Sequence, residues 1–171
     1  MVLPGFNGDD PQTNPLRQLL LDVGYDTHGW GLGPNRGPSD ELDAQLLEIP
    51  ERFTEPVTLI GVSLGGVYAR EIARTRPGLV RDVITLGAPH QAPGGFGPST
   101  TLVPGTPDRE RPPVGVSTLA VVARFDQFVG RRDAGLEGDP AAQTVTVVGG
   151  HCGMVQNPFV ARVVLQRLKL S

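Results

Sequence analysis

Apolar residues along this 171-residue chain fall into short, nearly continuous Val/Ile/Leu runs that alternate with stretches of three-to-four-residue spacing. The short runs read as buried strands, and the wider spacing reads as one face of a helix. A first strand is predicted in VLPG, starting almost at Met1 and stopped by Pro4-Gly5. A helix follows, with Asn14 as N-cap, Pro15 at its first position and Leu16, Leu19, Leu20 and Val23 on one face; Gly24 ends it. YDTHGW predicts a second strand, and GLGPNRGP a loop. Ser39 caps the next helix, which carries Asp40 and Glu41 in its first turn, turns Leu42, Leu46 and Ile49 inward and stops at Pro50. PVTLIGV is a third strand. A helix then runs from Leu64 to about Thr75, closed by Pro77-Gly78. RDVITLGAP, TLAVVARF and QTVTVVGG supply three more strands, and a last helix starts at Asn157-Pro158 and carries Phe159, Val160, Val163, Val164 and Leu168.

This alternation predicts a three-layer α/β sandwich: a mostly parallel sheet of about six strands with helices on both faces, in a single domain over residues 1–171. Ligand sites in such sheets lie beyond the carboxyl ends of the strands, which is the test for any candidate catalytic residue. The segment Ala88–Gly115 breaks the pattern. It holds seven of the seventeen prolines and reads as a long ordered loop.

Composition narrows the function classes. The formal charge is −3 with no basic run, so neither nucleic acid nor an anionic membrane surface is an expected partner. The longest apolar runs fall far short of a membrane span. One cysteine, Cys152, excludes an internal disulfide. No secretory leader is recognisable at the start; the chain as it stands reads as cytoplasmic, with secretion open to a longer chain.

Within this frame GVSLGG (61–66) stands out, because glycines flank a serine where a strand ends and a helix begins. A serine hydroxyl is a weak nucleophile unless a base takes its proton and donors receive the oxyanion. A sharp strand-to-helix turn lifts that hydroxyl above the sheet edge and requires small residues two before and two after it, here Gly61 and Gly65. The helix start aims its free N–H groups at the site. Ser63 is therefore the candidate nucleophile. The bland alternative is a structural turn with serine as N-cap.

On this scaffold the partners follow in the order acid, then histidine. Of His28, His90 and His151, only His151 follows both the serine and a late strand, in VTVVGGHCGM. The acid is expected after an intervening strand, which selects Asp126 in ARFDQFVG, with Phe125 and Phe128 as shields from water. Asp133, Glu137 and Asp139 are rivals in a polar loop. Cys152 lacks a surrounding elbow and reads as an ordinary small residue. The oxyanion donors are expected to be the N–H of Leu64 and that of Phe6, in the loop after the first strand.

With these residues in place the sequence resembles the α/β-hydrolases, nearest to the small lidless bacterial lipases and esterases. LPGF at 3–6, GVSLGG, TLGAPH at 85–90, Leu102–Thr106, ARFDQFV and GGHCGMVQNP at 149–158 carry the likeness over nearly the whole chain. The resemblance implies Ser63, His151 and Asp126 as nucleophile, base and orienting acid, Phe6 and Leu64 as oxyanion donors, and a structural role for His90. It departs from the family at Val62, where a histidine is frequent, and at Pro4-Gly5, where HG is usual. Larger relatives bind structural calcium; here no metal is expected, and Asp9-Asp10 reads as a solvated turn.

The expectation is thus a hydrolase of carboxylic esters that needs no cofactor and acts on a small acyl ester or lipid. Leu32 and Met154, with Phe6 and Cys152, are candidates for the acyl pocket or equally for loop anchors. Acyl transfer or thioester cleavage on the same residues, and a non-catalytic binding protein on the same scaffold, are the alternatives. A dinucleotide-binding domain is disfavoured, because no GxGxxG follows the first strand.

Overall fold

In a computed structural model of the chain, the described residues are 1–90, 114–135 and 140–169. Most of the proline-rich stretch, including Leu102–Thr106, lies outside them, as do Glu137 and Asp139. Among the described residues five strands form one sheet: β1 (Val2–Leu3), β2 (Val57–Val62), β3 (Val80–Leu86), β4 (Thr118–Ala123) and β5 (Ala142–Val147). Their order in space is their order in sequence, and every neighbouring pair is parallel, with Val2 opposite Ile60, Ile60 opposite Ile84 and Ile84 opposite Leu119.

Side-chain alternation along these strands builds two cores. Leu59 and Val83 point to one face, where α2 (Asp40–Glu48) and α3 (Leu64–Thr75) bury Leu46, Tyr68 and Ile72. Ile60, Val62, Ile84 and Leu86 point to the other, covered by Leu16 and Leu20 of α1 (Asp10–Asp22) and by Val160 and Val164 of α5 (Pro158–Leu168). The three layers expected from the sequence are therefore present. A four-residue helix, α4 (Arg131–Ala134), sits between β4 and β5.

Three expectations need correction. YDTHGW is not a strand but a single parallel bridge from Gly29 to Val2, with the Val2 N–H donating to the His28 carbonyl at 2.9 Å. The next two N–H groups, of Trp30 and Gly31, are taken by the Asp10 carboxylate at 2.8 and 3.1 Å, so no ladder can continue. The same bonds show that Asp10 is not a solvated turn residue. The first helix also begins earlier than Asn14: Asp9 is the N-cap, Pro11 lies in the first turn, and Pro15 is inside. Pro15 removes only the one bond its N–H would have made to the Pro11 carbonyl. The other two caps match expectation, Ser39 accepting from the Leu42 N–H at 3.1 Å and Asn157 from the Phe159 N–H at 2.9 Å.

The bridge sets the position of the site. Gly29 pairs with β1 on the edge opposite β2. From β1 the chain travels outward through α1 on one face, then returns through α2 on the other face to start β2. The direction of sheet growth reverses there, and the crevice at such a switch point is where parallel sheets bind ligands.

At the opposite end, Arg167 in the last turn of α5 grips Asp82 of β3 with two bonds of 2.8 Å. Hydrogen bonding to Asp82 raises the guanidinium pKa further. Asp82 is 1% exposed, so removing its partner strands a buried carboxylate. Arg167→Ala is expected to lower the free energy of unfolding by about 3–5 kcal/mol, whereas the double variant Asp82→Leu/Arg167→Met recovers most of it. Urea denaturation of the three proteins checks this; a single variant within about 0.5 kcal/mol of the parent contradicts it.

Candidate active site

The turn between β2 and α3 is built by exclusion of side chains. A Cβ on Gly61 would run into the backbone of Gly65 and Gly66. One on Gly65 would sit 2.5 Å from the Leu3 carbonyl oxygen and 2.6 Å from that of Pro4. Real Cβ atoms do not approach backbone so closely, so the first turn of α3 can rest on the end of β1 only if both positions are glycine. Between them Ser63 takes φ 49° and ψ −118°, a conformation that side-chain-bearing residues rarely adopt. Its own N–H is anchored to the Leu86 carbonyl at 2.9 Å. The serine therefore stands at the carboxyl edge, immediately before the start of a twelve-residue helix.

Facing it is the loop that leaves β1. A Cβ on Gly5 would lie 3.3 Å from the Ser63 Cβ. The Gly5 carbonyl accepts from the Gly8 N–H at 2.9 Å, closing a tight turn with Asn7 at φ 57°. Neither the Phe6 N–H nor the Leu64 N–H donates to any described residue. The Phe6 side chain is 53% exposed and touches the Gly37 position, while that of Leu64 is fully buried.

Past the end of β4, the Asp126 side chain is 1% exposed. One oxygen accepts from the N–H groups of Phe128 and Val129 at 2.9 and 2.8 Å. The other lies 2.7 Å from Nδ1 of His151. His151 opens a 3₁₀ turn, His151–Gln156, after β5. The expected shielding by aromatics is corrected: Phe125 and Phe128 are 60% and 73% exposed. Burial of the carboxylate comes instead from its own loop's backbone, from His151 and from Gly87. Phe128 leans on the imidazole, with ring centroids 5.2 Å apart.

Gly87, at φ 59° just past β3, joins the parts. A Cβ there would lie 3.1 Å from both Asp126 Oδ2 and His151 Nδ1, and 2.8 Å from the Met154 sulfur. Leu86, its neighbour, holds Ser63. The end of β3 is thus the common neighbour of the serine and of the Asp–His pair. No hydrogen bond joins Ser63 Oγ to His151 among the described residues.

The remaining candidates lie elsewhere. His90 is buried beneath α3, with Nε2 3.3 Å from Thr85 Oγ1 and 3.5 Å from an Arg70 nitrogen. His28 is half-exposed beside Asp26 near the amino ends of the strands. Asp133 lies in α4, its carbonyl accepting from the His90 N–H. Cys152 is exposed. Leu32 packs half-buried against the α2–α3 core, and Met154 is buried in the other core beneath Gly87. Sequence reasoning passed over two residues that border the site. Asn35 is fully buried, and Tyr68, fully buried on α3, lies 3.4 Å from the Asn35 side-chain oxygen. Burial, and after it the charge of Asp43, pushes the Tyr68 phenol well above its usual range and keeps it a donor.

Comparison with known proteins places this geometry. No protein-family model matches the chain, and no curated protein does. Solved structures do. A methylesterase from Arabidopsis superposes with a TM-score of 0.75 at 16% identity, over 99% of this chain and 98% of that one. A protein assigned to the α/β hydrolase superfamily, from Xanthomonas campestris, gives 0.71 at 22% identity, over 99% and 96%. A pyrethroid hydrolase from Sphingobium faniae gives 0.72 at 17%, over 96% and 94%. The parallel sheet and its covering helices are those of the α/β-hydrolase fold, and that is the fold of this chain.

Proposed function

We propose that the chain is a serine hydrolase of carboxylic esters, with Ser63 as nucleophile, His151 as general base and Asp126 as the acid that orients it. The observation that carries this reading is the 2.7 Å bond from His151 Nδ1 to a buried Asp126 oxygen, beside a serine held at φ 49° on the same rim. A carboxylate on Nδ1 keeps the proton there and presents Nε2 as the lone pair that faces the nucleophile. The names of the fold neighbours, a methylesterase and a pyrethroid hydrolase, support the same class of reaction.

In this mechanism Ser63 Oγ attacks the acyl carbon as its proton passes to His151 Nε2. The carbonyl oxygen takes the negative charge and receives hydrogen bonds from the Phe6 and Leu64 N–H groups. Collapse expels the alcohol, which leaves with the proton from His151. A water molecule, deprotonated by the same imidazole, then attacks the acyl-enzyme and returns Ser63 as a hydroxyl. This mechanism requires a hydrogen bond from Ser63 Oγ to His151 Nε2 in the substrate complex. Phe6 and Phe128, both exposed at this rim, offer apolar surface to the ester.

Hydrolysis of p-nitrophenyl butyrate by folded variants tests the assignment. Ser63→Ala is expected to lose at least about 10⁴-fold in turnover, and Asp126→Asn on the order of 10⁴-fold in kcat, since the amide favours the wrong imidazole tautomer. Parental rates in either variant, with an unchanged circular dichroism spectrum, overturn it. Gly87→Ala probes the spacing. Its new methyl group presses on Asp126, His151 and Met154 at a positive φ, and kcat should drop at least about tenfold in protein that still folds. An unchanged kcat would show that the Asp–His pair does not govern turnover.

A further inference from the structure

Building on the serine-hydrolase reading, we infer that Asn35 is a positioning residue that orients both oxyanion donors from a single buried point. The loop after β1 presents five successive peptide groups, and each is held at one end. The Pro4 carbonyl accepts from Asn35 Nδ2 at 3.0 Å. The Gly5 carbonyl accepts from the Gly8 N–H at 2.9 Å, which holds two groups at once. The Asn7 N–H donates to the Asn35 carbonyl at 2.7 Å, and the Gly8 carbonyl accepts from the Asn35 N–H at 2.7 Å. Three of these four bonds are thus made by Asn35, one through its side chain and two through its backbone.

A trans peptide is planar, so its N–H and C=O point in opposite directions. With the Gly5 carbonyl bound on the Gly8 side, the Phe6 N–H must point the other way. Turning that peptide over would break the Gly8 bond; the peptide after it is held by the Asn35 backbone carbonyl, and the peptide before it by the Asn35 side chain, which is the hold that a substitution removes. The Asn35 side-chain oxygen then reaches two further groups, the Gly37 N–H at 3.1 Å and the Tyr68 hydroxyl at 3.4 Å. Tyr68 lies one turn along α3 from Leu64, whose N–H is the other donor. Asn35 therefore ties the Phe6 loop to the helix that carries Leu64. An aliphatic residue in its place fills the space and supplies none of the side-chain bonds.

The test separates oxyanion binding from ground-state binding. In an aliphatic trifluoromethyl ketone, Ser63 Oγ adds to the ketone carbon, its proton moves to His151, and the former carbonyl oxygen becomes the oxyanion. Rates are expressed per active site, titrated by the p-nitrophenol burst. Asn35→Ala is expected to lower kcat for p-nitrophenyl butyrate by about 10- to 100-fold and to raise the ketone inhibition constant by a similar factor. KM stays within about twofold, which general loss of structure would not produce. Tyr68→Phe, which removes only the link to α3, is expected to shift kcat and the ketone constant in the same direction by about three- to tenfold. A folded Asn35→Ala with both quantities within twofold of the parent, or with a change carried by KM alone, overturns the inference. If Asn35→Ala does not fold, Tyr68→Phe decides, and unchanged values overturn it. A parent enzyme untouched by the ketone instead overturns the serine-hydrolase reading on which the inference rests.

Discussion

The backbone of Gly65 lies directly against the carbonyl groups of Leu3 and Pro4, with no room for a side chain between helix and strand. The rest of the site depends on that contact. Because α3 begins so close to β1 and β2, the chain must reverse within one residue, and Ser63 takes the strained conformation that does it. Strain of this kind costs about 1–3 kcal/mol. Burial of Leu64, Tyr68, Ala69, Ile72 and Ala73 along α3 offsets it, since each aliphatic or aromatic side chain fully withdrawn from water contributes on the order of a kcal/mol or more. A glycine-lined contact therefore holds a hydroxyl at the sheet edge, with the open end of a helix behind it.

The two faces of the sheet divide the remaining work. On the α2–α3 face, Asn35 connects the loop after β1 to the helix after β2 through its bonds to Pro4, Asn7, Gly8 and Tyr68. On the α1–α5 face, Met154 lies under Gly87, and the 3₁₀ turn that starts at His151 leads into α5. Asn157 closes that junction, its amide donating to the Val148 carbonyl at 2.8 Å while its oxygen caps the helix. The Arg167–Asp82 pair ties the far end of the same helix to β3. Residues at opposite ends of β3, Asp82 and Gly87, thus constrain one element, α5 with its leading turn, from both sides.

How much of this was legible in the sequence follows from the range of each interaction. GVSLGG announced itself because its demands are local: a strand, a serine between small residues, a helix. Asp126 and His151 could be chosen by chain order and strand position, and the structure brings that pair together. The strand read into YDTHGW shows where local pattern fails. Its Tyr, Thr and Trp suit a strand, but Asp10, some twenty residues earlier, captures the N–H groups a ladder would need. Asn35 was invisible for the same reason. In GLGPNRGP it reads as a loop residue, and its partners, Pro4, Asn7, Gly8 and Tyr68, are brought to it only by the fold. The shielding assigned to Phe125 and Phe128 erred differently, since a carboxylate in a tight turn is covered by its own backbone and needs no aromatic lid.

The account stands on Ser63 being a hydroxyl activated by its neighbours rather than a turn residue. Intact-protein mass spectrometry after treatment with a fluorophosphonate, followed by peptide mapping, tests this most directly. The account predicts one adduct, on Ser63, formed rapidly in the parent and lost or strongly slowed in His151→Ala. A folded parent that gains no mass, or an adduct mapped to another residue, contradicts it.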